Sequence, residues 1–259
     1  MKLLDNLQLE TLTVRLSRCS RRYALDVKIE SYSCKMVTEE KRQFKKLLAK
    51  LLDEGLQPSF LKLSSSRTLR GYRDLTGSSL DREAFRMSTF QAEPDVNPQS
   101  LSRSRNVSCY SEGGSADSQP KPSHPFISAK ELFCLMSTIT LSFDSTYDFL
   151  DKTSEDFCLE PELAIVRNYI SHFCSIYVDK YEALAPKLWS TIDAEIVPHR
   201  CVIYSYKPNH STDPYSRRCL ASFNYFFFNR NLKRILFFSL CVLNETPVDD
   251  SYGDMQDIF

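Results

Sequence analysis

Two parts of the chain carry hydrophobic patterns that predict β-strands. Residues 23–30 alternate apolar and polar side chains, as a half-buried strand does. The stretch Ser222 to Leu240, SFNYFFFNRNLKRILFFSL, is instead apolar or aromatic along both faces of two short runs. Asn229 and Asn231 bracket a turn between these runs, and Asn accepts positive φ at low cost. The pattern predicts a central hairpin that is covered by helices on both sides.

Helical spacing of apolar residues predicts four further elements, over 38–55, 128–143, 161–178 and 186–196. Thr38 is the expected cap of the first, while Ser128 with Glu131 forms a capping box for the second. Pro186 is expected to fix the start of the last. Residues 6–16 carry leucines at helical spacing behind Asp5 or Asn6, although their β-branched residues leave a strand open. The segment from Cys201 to Tyr206 is predicted to form a strand.

A long segment between these elements has a different composition. Residues 57–125 are rich in Ser, Pro and Gly and poor in large apolar side chains, so they bury too little surface to offset their conformational entropy. We therefore predict an α+β fold with a mainly antiparallel sheet and a disordered insertion. One globular domain is formed by residues 1–56 and 126–243, interrupted by a regulatory insertion at 57–125 and followed by a flexible acidic tail at 244–259.

Composition excludes several classes of function. Lys plus Arg equals Asp plus Glu at 33 each, so any electrostatic role must lie in a local patch. The nine cysteines contain no Cys-x-x-Cys pair and the four histidines are scattered, so we expect no metal and no cofactor. An odd cysteine count without a signal peptide favours reduced thiols in the cytosol or nucleus. No stretch has the length and apolarity of a transmembrane helix.

Catalytic signatures are absent from the sequence, which predicts a protein that is not an enzyme. The six glycines form no phosphate-binding loop, and there is no Gly-x-Ser-x-Gly elbow. Asp193 and Glu195 lie two positions apart, so a helix directs them to different faces and they make a poor acid–base pair. Cys34 beside Lys35 resembles an activated thiol, but a packed strand cysteine is the favoured interpretation.

The aromatic hairpin has two interpretations. Its rings, next to the basic residues Arg230, Lys233 and Arg234, resemble a stacking platform for single-stranded RNA. Such a platform requires one open face, with Tyr225 or Phe227 exposed. Because the predicted helices suffice to cover both faces, the favoured interpretation is a sheet core that ends in a solvated basic turn. The same three basic residues are a candidate nuclear-import element.

Four separate blocks resemble the Maf-one family, the negative regulators of RNA polymerase III. They are IESYSCKM (29–36), LWSTIDAEI (188–196), CVIYSYKP (201–208) and SFNYFFFNRNLKRILFFS (222–239), and the start MKLLDN is also similar. The resemblance covers about residues 1–55 and 126–240 and skips the insertion, which varies in the family. It implies a helix–sheet–helix sandwich with a central antiparallel sheet.

The resemblance also implies a function. Family members are non-catalytic repressors that bind RNA polymerase III near its clamp and block its engagement with the promoter-bound initiation factor. Nutrient-responsive kinases and a phosphatase control them, and they shuttle between cytoplasm and nucleus with phosphorylation state. Acidic residues before the hairpin are implicated in polymerase binding, which makes Asp213 the candidate contact. The loop departs from the family pattern because Arg217 and Arg218 reverse its charge.

Ser104 and Ser108 are the candidate phosphorylation sites. Ser108 lies in RSRNVS, where Arg103 and Arg105 precede it by five and three positions, a spacing that suits basophilic kinases. A phosphate adds about −1.5 to −2 charges at neutral pH, which reverses the charge of this basic patch. We therefore expect modification of Ser108 to relieve repression.

Overall fold

The computed structural model describes residues 1–64, 126–143, 151–208 and 219–243. Helices and strands are mixed along the chain. The strands are β1 (Lys2–Leu4), β2 (Ala24–Ser33), β3 (Leu61–Lys62), β4 (Phe126–Ile127), β5 (Phe157–Glu160), β6 (Val202–Tyr206), β7 (Cys219–Asn229) and β8 (Arg234–Leu243). The helices are α1 (Leu7–Arg18), α2 (Thr38–Asp53), α3 (Ala129–Ser142), α4 (Leu163–Tyr177) and α5 (Tyr181–Ile196), with short 3-10 turns at Ser154–Asp156 and Pro198–Arg200.

Six of the strands form one sheet in the order β1-β2-β8-β7-β6-β5, and every neighbouring pair in it is antiparallel. The β7–β8 hairpin therefore occupies the centre of the sheet, which confirms the prediction from its apolar faces. The predicted α+β class with a mainly antiparallel sheet is also confirmed. Strands with apolar side chains on both faces are most stable where both faces are covered. This accounts for the central position of the hairpin.

The two faces of the sheet carry separate cores. Phe223, Tyr225 and Phe227 point to the face packed by α1, α4 and α5. Phe226 and Phe228 point to the opposite face, which is packed by α2 and α3. This alternation is the ordinary geometry of a strand, since successive side chains leave the pleat on opposite sides. The arrangement is the expected helix–sheet–helix sandwich.

Helix starts agree with the sequence to different degrees. Asn6 caps α1 by accepting hydrogen bonds from the backbone N–H groups of Gln8 and Leu9 at 3.0 and 3.2 Å, which decides between helix and strand there. The Ser128–Glu131 capping box is present at α3. Thr38 is wrong as the cap of α2, because it is the first helical residue. The Glu40 carboxylate instead accepts from the backbone N–H of Val37, the residue before the helix, at 2.9 Å.

The start of α5 was predicted incorrectly. The helix begins at Tyr181, after Lys180 in the left-handed region at φ 56°, and Pro186 lies inside it. A proline removes one helical hydrogen bond and usually ends a helix, which is why the sequence suggested a later start. Burial of Tyr181 and Leu184 in the first core keeps these earlier residues helical.

The folded part of the N-terminal segment extends beyond the predicted boundary at residue 56. Strands β3 and β4 pair with each other, and Leu61 and Leu63 are buried in the second core. Ser64 forms an isolated bridge to Cys158. Residues 57–64 are therefore ordered, contrary to the prediction that they begin the disordered insertion. The described residues all fall in one compact unit, and the second unit, 71–123, lies outside the described residues.

One cysteine pair differs from the expectation of reduced thiols. Cys219 and Cys241 are joined as a disulfide with their Cα atoms 6.0 Å apart. A shift in strand register between Cys219 and Ala221 brings these side chains together across β7 and β8. Within the described ranges, the cysteines outside this disulfide are Cys19, Cys34, Cys134, Cys158, Cys174 and Cys201.

Candidate functional site: the basic turn between β7 and β8

The basic turn comprises residues 230–234 and joins the two central strands. The buried Asn229 organises it from inside the protein. Its Oδ1 accepts hydrogen bonds from the backbone N–H groups of Asn231 and Leu232, both at 3.1 Å. Its Nδ2 donates to the carbonyl of Ile196 at 2.9 Å, where α5 ends. One Asn side chain thus shapes the turn and attaches it to the first helical layer.

Arg230 turns toward the second helical layer. Its Nε donates to Oε1 of Glu131 at 2.6 Å, and Glu131 also serves the capping box at the start of α3. The Arg230 side chain is 58% exposed, whereas that of Glu131 is 15% exposed. Burial lowers the pKa of Arg230, but the hydrogen bond and charge of Glu131 outweigh it, so the net pKa is raised. Arg230 therefore stays charged and attaches the turn to α3.

Arg234 belongs to a polar network centred on Glu195. Its Nη1 donates to Oε1 of Glu195 at 3.2 Å, and the same oxygen accepts from the Ser31 hydroxyl at 2.6 Å. The other carboxylate oxygen accepts from Nδ2 of Asn6 at 2.9 Å. The network links the cap of α1, strand β2, helix α5 and strand β8. Arg234 is thus bound in a structural role, with 42% of its side chain exposed.

Lys233 differs from the two arginines. It adopts a left-handed conformation at φ 53°, and its carbonyl accepts from the backbone N–H of Cys34 at 2.9 Å. Its side chain is exposed, and across residues 1–64, 126–143, 151–208 and 219–243 no carboxylate lies within ion-pair distance of it. Of the three candidate import residues, Lys233 presents its charge to solvent while Arg230 and Arg234 bind carboxylates.

The RNA-platform interpretation is wrong for the aromatic hairpin. Tyr225 is 2% exposed and Phe227 is 0% exposed, so neither ring offers a face on which a base can stack. On this face, Phe223 packs edge-on against Phe173 of α4 with ring centroids 5.1 Å apart. Tyr225 has the ring of Tyr169 at 6.2 Å. Helix α4 therefore covers this face of the hairpin, as the sheet-core interpretation of the sequence expected.

Three candidate residues cannot be placed in the fold. Ser104, Ser108 and Asp213 all lie outside the described residues, as do Arg217 and Arg218. The chain order alone locates Asp213 between the end of β6 at Tyr206 and the start of β7 at Cys219. The basic turn follows the other end of β7. Strand β7 itself has eleven residues and spans ~33 Å.

The described residues contain no group of three or more His, Cys, Asp or Glu side chains arranged to hold a metal ion. None of the helices in this part of the chain combines the length and apolarity needed to cross a membrane. Asp193 is exposed while Glu195 is half-buried on the same helix, consistent with their different faces. Arg230 and Arg234 bind the carboxylates of Glu131 and Glu195 in contacts that join elements of the fold.

One polar cluster was missed by sequence reasoning. Glu195 was judged only as half of a poor acid–base pair, yet it accepts from residues 39, 164 and 189 positions away. These contacts leave no periodic pattern, so no sequence signal indicated the partners. Cys34 was interpreted as a packed strand cysteine; it directly follows β2 and packs, partly buried, against the second core.

Comparisons with known proteins agree with this architecture. The sequence model of the Maf1 regulator family matches residues 25–239. A protein of Dictyostelium discoideum named "Repressor of RNA polymerase III transcription" is 32% identical over 264 aligned residues, covering 99% of this chain and 90% of that protein. A Schizosaccharomyces pombe protein, "Repressor of RNA polymerase III transcription maf1", is 26% identical with the same coverage.

The fold is also similar to a solved structure. A crystal structure of citrus MAF1 superposes with a TM-score of 0.52 at 20% sequence identity, covering 92% of this chain and 99% of that one. The family match includes helices α2 to α5 and the central hairpin as far as Ser239. The chain belongs to the Maf1 regulator family.

Proposed function

We propose that this protein represses transcription by RNA polymerase III as a regulatory protein without catalytic activity. The observation that carries the proposal is the family match over residues 25–239, together with a relative that is named as such a repressor and is 32% identical over 99% of the chain. In the basic turn, Arg230 and Arg234 bind carboxylates of the fold, whereas the Lys233 side chain is exposed.

The proposed mechanism is a steric and electrostatic block. The protein binds the polymerase and prevents its engagement with the promoter-bound initiation factor. Asp213 is the proposed polymerase contact, on the segment between β6 and β7. Support for that segment comes from β7, which pairs with β8 from Cys219 to Asn229 and with β6 over residues 225–228. Rigid scaffolds that carry binding residues on connecting segments are common in proteins.

Control by phosphorylation forms a second part of the proposal. Nutrient-responsive kinases modify Ser108 and Ser104, a phosphatase reverses the modification, and the dephosphorylated protein represses. The protein is proposed to shuttle between cytoplasm and nucleus with this state. For import, Lys233 supplies the free charge of the basic turn, since Arg230 and Arg234 already bind Glu131 and Glu195.

The decisive experiment compares two transcription reactions with purified RNA polymerase III. One reaction starts from a transfer-RNA promoter with its initiation factors, and the other starts from a tailed template that requires no factor. We expect the protein to reduce promoter-dependent synthesis at least tenfold at saturation and to leave tailed-template synthesis within about twofold. Equal inhibition of both reactions contradicts a block at initiation-factor engagement. No inhibition of either reaction, with binding absent in a pull-down, contradicts repression itself.

A charge reversal tests the proposed contact. Asp213→Lys should weaken retention of RNA polymerase III subunits in a pull-down from nuclear extract, because it places a like charge against a basic polymerase surface. The matched control is Asp193→Lys, which reverses an exposed carboxylate on α5. Equal retention by the parent protein and both variants assigns the contact to another part of the surface.

A further inference from the structure

Four arginines form a basic surface where α1 ends and β2 begins. Arg15 and Arg18 lie in the last turn of α1, and Arg21 and Arg22 follow the helix. All four residues are exposed. In the part of the chain that the structure describes, none of the four takes part in an ion pair. We call these four residues the arginine surface.

The segment that carries the last two arginines is held in a fixed position. The carbonyl of Cys19 accepts from the backbone N–H of Asp179 at 2.6 Å. The Asp179 carboxylate accepts in turn from the backbone N–H of Arg21 at 3.0 Å. The Ser20 hydroxyl accepts from the backbone N–H of Tyr23 at 3.2 Å. The arginine surface is therefore presented by ordered backbone.

The helix dipole explains only two of the four arginines. Cations in the last turn of a helix interact favourably with the dipole, which accounts for Arg15 and Arg18. Arg21 and Arg22 lie beyond the helix, and the effect of the dipole is confined to the terminal turn. Neighbouring like charges also repel one another, so an anionic partner would stabilise this group of guanidinium ions.

The chain leaves the central sheet beside the arginine surface. Strand β8 ends at Leu243, whose partner in β2 is Ala24, the second residue after Arg22. Cys241, two residues before the end of β8, is joined to β7 by the disulfide described above. The Cα atoms of Arg22 and Leu243 are therefore separated by at most ~13 Å, two residues along the chain and one strand spacing across the sheet.

The segment that follows β8 is acidic. Residues 244–259, NETPVDDSYGDMQDIF, lie outside the described residues, and they contain five carboxylate side chains and no Lys or Arg. Asp249 and Asp250 follow Leu243 by six and seven positions. A flexible linker of six residues spans roughly 12–15 Å on average, which matches the distance to the arginine surface. Tethering at this length gives an effective concentration of about 1 mM or more.

We propose that residues 244–259 dock on the arginine surface of the same molecule, where Asp249 and Asp250 bind the guanidinium groups of Arg21 and Arg22. The planar fork of an arginine matches the two oxygens of a carboxylate, so each contact is directional as well as electrostatic. Single exposed ion pairs are weak, and the tether together with several simultaneous pairs supplies the affinity. The docked segment shields a surface that otherwise attracts polyanions. This contact does not depend on the proposed repressor activity.

Carbodiimide cross-linking tests the contact, because it joins a carboxylate directly to an amine without a spacer. Arg22→Lys keeps the charge of the arginine surface and supplies an amine there. Trypsin then releases residue 22 in peptide 22–28 and the acidic segment in peptide 235–259, in which every carboxylate belongs to residues 244–259. The full chain is treated at ~50 mM salt, the monomer is isolated and reduced, and the digest is mapped by mass spectrometry.

We expect a link from peptide 22–28 to peptide 235–259. It should be about fivefold more abundant than a link from Lys46 to peptide 235–259, because Lys46 is an exposed residue of α2 on the opposite side of the sheet. The link to residue 22 should fall about fivefold at ~500 mM salt, where the interactions of exposed charges are screened beyond ~4 Å.

Charge variants separate docking from proximity along the chain. In the Arg22→Lys background, Arg15→Gln with Arg18→Gln halves the positive charge and should lower the link about threefold. The matched control is Lys45→Gln with Lys46→Gln, which removes two exposed charges from α2 and should leave the link unchanged. Circular dichroism confirms that each variant is folded, and Arg21→Lys replaces Arg22→Lys if that variant is not. A link that responds neither to salt nor to the arginine substitutions reports proximity alone and overturns the proposal.

Binding of a polyanion provides a second measurement, without an added lysine. Fluorescence anisotropy follows a labelled oligonucleotide of about 12 thymidines, which reports how accessible the arginine surface is. Asp249→Asn with Asp250→Asn should bind it about fivefold more tightly than the parent protein, because the competing carboxylates are gone. Adding Arg21→Gln with Arg22→Gln should cancel that gain.

The control for net charge is Asp53→Asn with Asp193→Asn, which removes two exposed carboxylates from α2 and α5. It should bind the oligonucleotide as the parent protein does. Equal tightening in this control and in the tail variant assigns the gain to net charge and overturns the proposal. A parent protein that already binds the oligonucleotide through Arg21 and Arg22 as tightly as the tail variant also overturns it, since the surface is then open to nucleic acid.

Discussion

Removal of the Glu195 carboxylate tests whether the polar network on α5 stabilises the fold. Glu195 accepts hydrogen bonds from Asn6, Ser31 and Arg234, and its side chain is 13% exposed. Glu195→Ala removes all three hydrogen bonds at once. The donors belong to three other elements, so the loss weakens contacts between elements rather than within one helix.

The cost follows from the surroundings of each donor. Ser31 is 1% exposed, so its hydroxyl loses a partner that water cannot easily replace, at about 1–3 kcal/mol. Asn6 and Arg234 are nearer to solvent and contribute about 0.5–1.5 kcal/mol each, with the ion pair discounted for screening at a 42% exposed side chain. The expected loss of unfolding free energy is therefore roughly 2–6 kcal/mol.

Urea denaturation followed by circular dichroism measures this loss. With a slope of about 3 kcal/mol/M, a loss of about 3 kcal/mol lowers the midpoint by about 1 M. Asp193→Ala is the matched control, since it removes an exposed carboxylate from the same helix and should change stability by less than about 0.5 kcal/mol. Glu195→Gln keeps the shape of the side chain but must direct its NH₂ group toward a donor, so it should also be destabilising.

A double-mutant cycle identifies the source of the effect. Ser31→Ala in the Glu195→Ala background should cost less than Ser31→Ala in the parent protein, by about 1 kcal/mol, because the pair is already broken. If Glu195→Ala is as stable as Asp193→Ala, the carboxylate does not stabilise the fold and the reasoning fails. Additive effects in the cycle would refute the Ser31 contact specifically.

Four further changes have defined expectations. Trp189→Ala should cost about 3–5 kcal/mol in thermal or urea unfolding, because the ring is 4% exposed in the first core; native-like stability with lost polymerase binding would place Trp189 at the interface instead. Replacement of residues 65–125 by a short flexible linker should leave a cooperative thermal transition, whereas aggregation would show that this segment is needed for folding. In nutrient-rich cells, Ser108→Ala should repress transfer-RNA precursor synthesis more persistently than the parent protein, and Ser108→Glu should repress it less. If both variants behave like the parent protein and no phosphate is found on Ser108, this switch is excluded. Lys233→Ala should reduce nuclear accumulation of a fluorescent fusion more than Arg230→Ala at equal stability, and the reverse order contradicts the assignment of import to the free charge.

Periodicity and caps were readable from the sequence because they depend on neighbours along the chain. The alternation of residues 23–30, the doubly apolar hairpin and the capping box at Ser128 each correspond to an observed element. The same information located both helical layers, since a helix must bury its apolar stripe and a sheet with two apolar faces offers two places to do so. The family resemblance rested on the residue identities of four sequence blocks, not on periodicity.

Contacts between distant residues were decided by the tertiary structure. The helical start at Tyr181 depends on core burial that outweighs the effect of Pro186. Leu61 and Leu63 are ordered because β3 pairs with β4, which follows residues 65–125 in the sequence, and because both leucines are buried in the second core. The partners of Glu195 lie up to 189 positions away. Such pairs carry no local signature, since a buried polar group requires a partner of matching chemistry in space rather than at a fixed spacing in sequence.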